Sequence, residues 1–149
     1  RGRWHVHGRQ HRDGGVMALG FGVEVSLTDK LVSGRLVSGR AVVVEAMYRR
    51  LITPRGTLFD DLTYGFDVSG FVGAVGYERS LAVLSGMGGN ELSKEDRAYN
   101  VACEATLSTA DGGGLSLLLD VTATLQDSDE DFSLTLGVTE VTAELLTAA

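Results

Sequence analysis

Apolar positions follow two periods in this chain, and the change from one to the other divides it. Between residues 41 and 52, Val43, Val44, Met47, Tyr48, Leu51 and Ile52 recur at i, i+1, i+4, i+5, i+8 and i+9, one stripe of an α-helix. Glu45 and Arg49 stand four apart on the other face in the favourable orientation, worth about 0.3 kcal/mol. Arg49 and Arg50 lie where cations suit the C-terminal end of the helix dipole. Pro54 restricts Thr53 to extended geometry and ends the helix. From residue 101 the period is two. Val101, Cys103, Ala105 and Leu107 alternate with mostly polar residues, Leu115 to Leu125 continues the pattern, and Phe132, Leu134, Leu136 and Val138 resume it. An Asp-Gly-Gly-Gly run at 111–114 supplies a hairpin turn, and residues 126–131 form an acidic loop. After Glu140 the apolar set moves to Val141, Ala143 and Leu145. That slip in parity predicts a bulge or bend near 137–140, with a last strand that leaves its own sheet and presents its edge.

The rest of the chain carries weaker signals. Residues 21–27 alternate as a short strand, and a five-residue unit, Leu-Val-Ser-Gly-Arg, occurs twice at 31–40, too few copies for a solenoid. Gly34 and Gly39 permit positive φ, and Ser38 is placed to cap the helix. Phe71, Val72, Val75, Leu81 and Leu84 share a helical face that Gly70, Gly73 and Gly76 weaken by about 1 kcal/mol each. The pattern predicts a helix over 77–85, broken by Gly86-Met87-Gly88-Gly89, and a turn at 93–97 before the sheet. The predicted fold class is α+β: helices packed on one face of an antiparallel β-sheet or meander, with the C-terminal strand at its edge. Met17 reads as the natural start. Residues 1–16 read as a leader or misassigned N-terminal extension, and 17–149 as a single domain.

Composition narrows the chemistry. At 149 residues and 44% hydrophobic content the chain can bury one ordinary core, and no run approaches the ~18 apolar residues of a membrane span. No apolar signal-peptide core is present near the N-terminus. The single cysteine, Cys103, excludes an internal disulfide and reads as a small buried apolar residue. The net charge of −7 is unevenly spread. Four arginines and all three histidines fall within 1–16, and no Lys or Arg occurs from Ala98 onward, where acids remain. Such a surface repels phosphate, so the expected partner is a basic protein face and not nucleic acid.

His5, His7 and His11 lack a packed scaffold and a fourth ligand, so no metal is expected. With every histidine outside the folded part, Ser-His-Asp and Cys-His catalysis have no base there. The glycines around Met87 lack the Lys-Ser/Thr of a phosphate loop. A glycosidase would need two facing carboxyls, and only Glu78, Glu91 and Glu95 stand outside the sheet to meet Asp60 or Asp61. The Arg-rich set of Arg35, Arg40, Arg49, Arg50 and Arg55 suits a protein-facing ion-pair surface at least as well as an RNA site, because the only aromatic among them, Tyr48, falls on the buried stripe. Glu95-Asp96-Arg97 forms either a local salt bridge worth about 0–1 kcal/mol or, buried against a partner, bonds worth about 1.5–3 kcal/mol each.

Leu51-x-Thr53-Pro54-x-Gly56, then Tyr64-Gly65-x-Asp67, a helical stretch, Glu95-Asp96-Arg97 and antiparallel strands follow one another in a telling order. This resembles the lysozyme-like baseplate wedge, or sheath-initiator, family of contractile phage tails and related injection systems, over residues 29–145. Glu95-Asp96-Arg97 looks like the family's Glu-Pro-Arg motif with aspartate in place of proline. The resemblance implies a structural component of the virion tail baseplate, assembled in the host cytoplasm in several copies around the tail axis. Its implied partners are baseplate wedge proteins, the tail tube or hub, and the sheath protein, with no nucleic acid, membrane or cofactor. Glu95, Asp96 and Arg97 are the implied wedge-docking residues. Phe132, Leu134, Leu136, Val138 and Val141 are the implied sheath-binding strand, and Pro54, Gly56, Tyr64 and Gly65 the structural turn. No catalytic pair is matched, so the lysozyme label does not carry over. A peptidoglycan hydrolase and a free-standing interaction module stay open as alternatives.

Overall fold

Alternation in the C-terminal third builds one antiparallel meander. The computed structural model describes residues 23–25, 36–71, 77–109, 115–139 and 143–148. Strands β3 (Ala98–Thr109), β4 (Leu115–Leu125), β5 (Asp131–Val138) and β6 (Ala143–Ala148) pair in that order, each antiparallel to the next. They are preceded by a two-stranded ribbon of β1 (Val23–Val25) and β2 (Leu36–Ser38), helix α1 (Arg40–Ile52), a 3-10 turn (Val68–Phe71) and helix α2 (Tyr77–Leu92). Leu117, Leu119, Val121, Ala123 and Leu125 of β4 and Phe132, Leu134, Leu136 and Val138 of β5 bury one face of the sheet. Met47 and Leu51 of α1 and Leu84 and Leu92 of α2 pack on that face. The fold is α+β, with helices on one side of a meander and β6 at its edge.

Helix α2 is longer than the sequence pattern predicts, running through Gly86-Met87-Gly88-Gly89 to Leu92. A Cβ on Gly88 would lie 3.2 Å from Cys103 Sγ, and one on Gly89 3.8 Å from Cys103 Cβ. The missing side chains let α2 press onto β3, and that packing offsets the glycines' low helix propensity. Ser85 Oγ strengthens the contact by accepting from the Ala105 amide at 2.9 Å. Cys103 is held in this seam, where burial and then the charge of Asp120 push its thiol up to about 11. It is inert packing at neutral pH.

Other local expectations are corrected. Gly39, at φ 62°, occupies the N-cap of α1 without a side-chain cap, and Ser38 belongs to β2. Glu45 is buried and does not sit on a solvated face. The parity change before β6 comes from the connection of residues 139–142, which brings Val138 opposite Ala143 on the same side of the sheet. The last strand therefore stays in its own sheet. Its irregularity falls inside β6: Thr135 faces Thr147 while Leu136 faces Leu145, so Leu146 is the extra residue of a bulge. Leu146 crosses Gly137, where an added Cβ would meet its Cδ1 at 2.8 Å. A second bulge separates Tyr99 from Ala102 in β3, with Asn100 at φ 51°. The first strand of residues 21–27 is described only over 23–25. The expected leader, the histidines, the first copy of the repeated unit, Val72 and Val75 of the expected helical face, the 111–114 turn and Val141 lie outside the described residues.

Candidate functional site

Where α1 stops, the chain makes a long loop that closes on itself. Thr53 is extended, as the following proline requires, and its amide and hydroxyl both donate to Arg49 O, at 3.0 and 2.7 Å. Pro54 to Thr57 forms a tight turn in which Thr57 donates to Pro54 O from both N and Oγ1, with Gly56 at φ 85°. At the far end of the loop, Asp61 Oδ1 accepts from Thr63 N and Oγ1 at 2.9 and 2.7 Å, which holds its carboxyl below the usual range. The returning chain is stitched to the helix by Phe66 N to Arg50 O at 2.9 Å and Asp67 N to Thr53 O at 3.1 Å. Gly65 makes this closure possible. It has φ 97°, and a Cβ there would stand 2.3 Å from Thr53 O.

One buried carboxylate fastens the base of that loop to α2. Glu91, whose side chain is 0% exposed, accepts from the Gly65 amide at 3.0 Å, from Arg55 Nη2 at 2.9 Å and from Lys94 Nζ at 2.6 Å. Arg50 Nη1 is 3.5 Å away. Arg55 Nε also donates to Gly65 O at 3.1 Å, and Lys94 Nζ to Thr63 O at 3.2 Å. Burial by itself would raise the Glu91 pKa. The bonds from Lys94 and Gly65 and the charges of Lys94 and Arg55 outweigh it, so the carboxyl sits below its ordinary value. Arg50 lies over the Tyr64 ring, 4.6 Å from its centroid, and burial raises the Tyr64 pKa against the opposing charges of Arg50 and Arg49.

Arg50 also ties in the second motif, with its Nε 3.8 Å from Glu95 Oε2. Glu95 in turn accepts a short bond from Arg97 Nε. Glu95 is turned into the protein at 7% side-chain exposure, while Arg97 reaches solvent at 27% and Asp96 is exposed. The structure thus unites the Pro54-Gly56 turn, Tyr64-Gly65 and Glu95-Arg97 in one charged network. Glu95 serves its own fold, which leaves Arg97 and Asp96 as the outward members of the triplet. The member that sequence reading did not place at the centre is Glu91. Its signal was electrostatic: an acid in the last turn of a helix faces the negative end of the dipole and needs cations to hold it.

The strand assigned to sheath binding requires a larger correction. β5 lies between β4 and β6, so its backbone ladder is used on both sides, and Phe132, Leu134, Leu136 and Val138 point into the core. A paired, buried strand cannot add a foreign one. The outer strand at this end is β6, with which no strand but β5 pairs among the described residues; one of its carbonyls, Ala143 O, accepts from the Tyr48 hydroxyl of α1 at 3.1 Å. β6 carries the Leu146 bulge and one acid, Glu144, but neither proline nor lysine. β3 forms the other edge of the sheet, with α2 lying on it.

The chain matches no family model, no curated protein and no solved structure. Among the described residues no helix is long and apolar enough to cross a membrane, and no group of three metal-ligating side chains converges.

Proposed function

We propose that this chain is a structural component of the baseplate of a contractile phage tail or related injection system, and that it catalyses no reaction. In this reading Arg97, oriented by Glu95, docks on the wedge, and β6 offers its outer ladder to a strand of the sheath. The observation that carries it is the place of β6 at the end of the meander, where no second strand pairs with it among the described residues, a template for β-augmentation. The meeting of the two resembling motifs on the Glu91–Arg50–Glu95 network adds support, because motif residues far apart in sequence share one structural task. The acidic strand half suits a basic sheath or tube surface. The hydrolase alternative gains nothing from the geometry. A general acid needs a raised pKa, and Glu91 is held low by cations.

Arg97→Ala should abolish incorporation of the chain into baseplates, scored by its loss from purified tails. The isolated variant should keep its circular dichroism spectrum, because Glu95 retains Arg50. Normal incorporation of a folded Arg97→Ala chain would remove the docking role.

A further inference from the structure

The loop that Glu91 clamps ends in a tip that the fold itself does not use. Phe59 is 98% exposed and Leu62 65%, although the segment on either side of them is tied down at every turn. Arg50 O, Thr53 O and Pro54 O receive its backbone amides, Asp61 organises its far turn, and Glu91, Arg55 and Lys94 fix its returning limb. A buried carboxylate with three cations around it is a demanding way to hold a loop. The arrangement makes sense if the rigid part is there to present the tip. A pre-ordered aromatic offers about 150–250 Å² of contact with little entropy left to lose on binding.

We infer that Phe59, with Leu62 beside it, is an anchor that inserts into an apolar pocket on another protein, and that basic side chains rim that pocket. The charge comes from Asp60 and Asp61, which lie between the two apolar residues and are both exposed. They select the occupant. A second copy of this chain has an apolar groove of about 350 Å³ on its open sheet face, lined by Leu118, Gly137 and Leu146 among others. That groove belongs to the half of the chain with no Lys or Arg from Ala98 onward, which would repel an acidic tip. An anionic membrane surface would repel it for the same reason. A cationic rim around an apolar socket complements both features, and it does so whether or not the partner belongs to a tail.

The test places benzoylphenylalanine at position 59 of the full chain, irradiates the cells that naturally make it, and maps the crosslinked peptide. The expected product is one peptide of one other protein, apolar and flanked by Lys or Arg. With that protein purified, Phe59→Ala should weaken binding by about 30-fold, the scale of an interface hot spot. Asp60→Lys should weaken it further at low salt and reduce its salt dependence. Neither variant should shift thermal unfolding, because both side chains are exposed. Crosslinks to a second copy, to lipid, to scattered sites or to nothing would overturn the anchor, as would a Phe59→Ala affinity within twofold of the parent. A single basic-rimmed partner from outside any tail would contradict the baseplate reading and leave the anchor standing.

Discussion

Gly65→Ala should destabilise the protein by about 3 kcal/mol, read as the loss of unfolding free energy in a urea titration. Two costs combine at this position. Its φ of 97° is one that a side-chain-bearing residue adopts only under strain, and the new methyl would stand 2.3 Å from a backbone oxygen, Thr53 O. That oxygen cannot rotate away as a side chain would, because it already receives the Asp67 amide at 3.1 Å. Relief would open the loop, and the Gly65 amide would leave Glu91 with it. Gly56→Ala isolates the conformational part. Its φ is 85° with nothing within 4 Å of the added methyl, so about 1 kcal/mol is expected. Equal losses at the two positions would show that Thr53 O does not govern the closure.

Removing the partly exposed cations from Glu91 should cost about as much and should also invert its pH response. Arg55→Met combined with Lys94→Met leaves a fully buried carboxylate with Arg50 as its remaining cation, at 3.5 Å. Stranding a buried charge typically costs about 3–5 kcal/mol; the lower end is expected here, since Arg50 and the Gly65 amide stay. In the parent chain the folded-state pKa of Glu91 is depressed. Its contribution is complete above the unfolded value, about 4.3, and disappears as pH falls through the lower folded value. Acid therefore loosens the parent's clamp only below about pH 4.3. In the double variant burial dominates and the pKa rises, so protonation relieves the penalty and stability recovers as pH falls through the raised value. Melting temperatures between pH 3 and 8, compared with Glu91→Gln as the uncharged reference, read out both limbs. Parallel profiles for parent and double variant would mean that Arg55 and Lys94 do not hold the carboxylate.

Much of this architecture is legible in the residues themselves, and the failures have definite causes. Helix α1, its stop at Pro54 and the alternation of β3, β4 and β5 follow from periodicity and one proline, both local properties. Helix α2 is not legible in full, because glycine's low propensity is a local quantity while close approach to Cys103 is a tertiary one. The slip in parity around residue 140 is real in the sequence, yet a four-residue connection explains it without any departure from the sheet. Alternation also cannot tell an interior strand from an edge strand. Phe132, Leu134, Leu136 and Val138 carry the same pattern in either position, and only pairing order shows that β6 is the outer one. At the loop, Pro54, Gly56, Tyr64 and Gly65 were visible as punctuation. Their link to Glu95 through Arg50 and Glu91 depends on charges brought together by folding. Phe59 and Leu62 belong to no periodic stripe, and only their exposure sets them apart.

A density map of a contractile tail that carries this chain, at a resolution that separates strands, tests the proposed baseplate role most directly. It should contain a strand from another subunit hydrogen-bonded along Ala143–Ala148, extending the meander by one. Solvent along that side of β6, cover by a segment of the same chain, or a foreign strand added at β3 instead would contradict it.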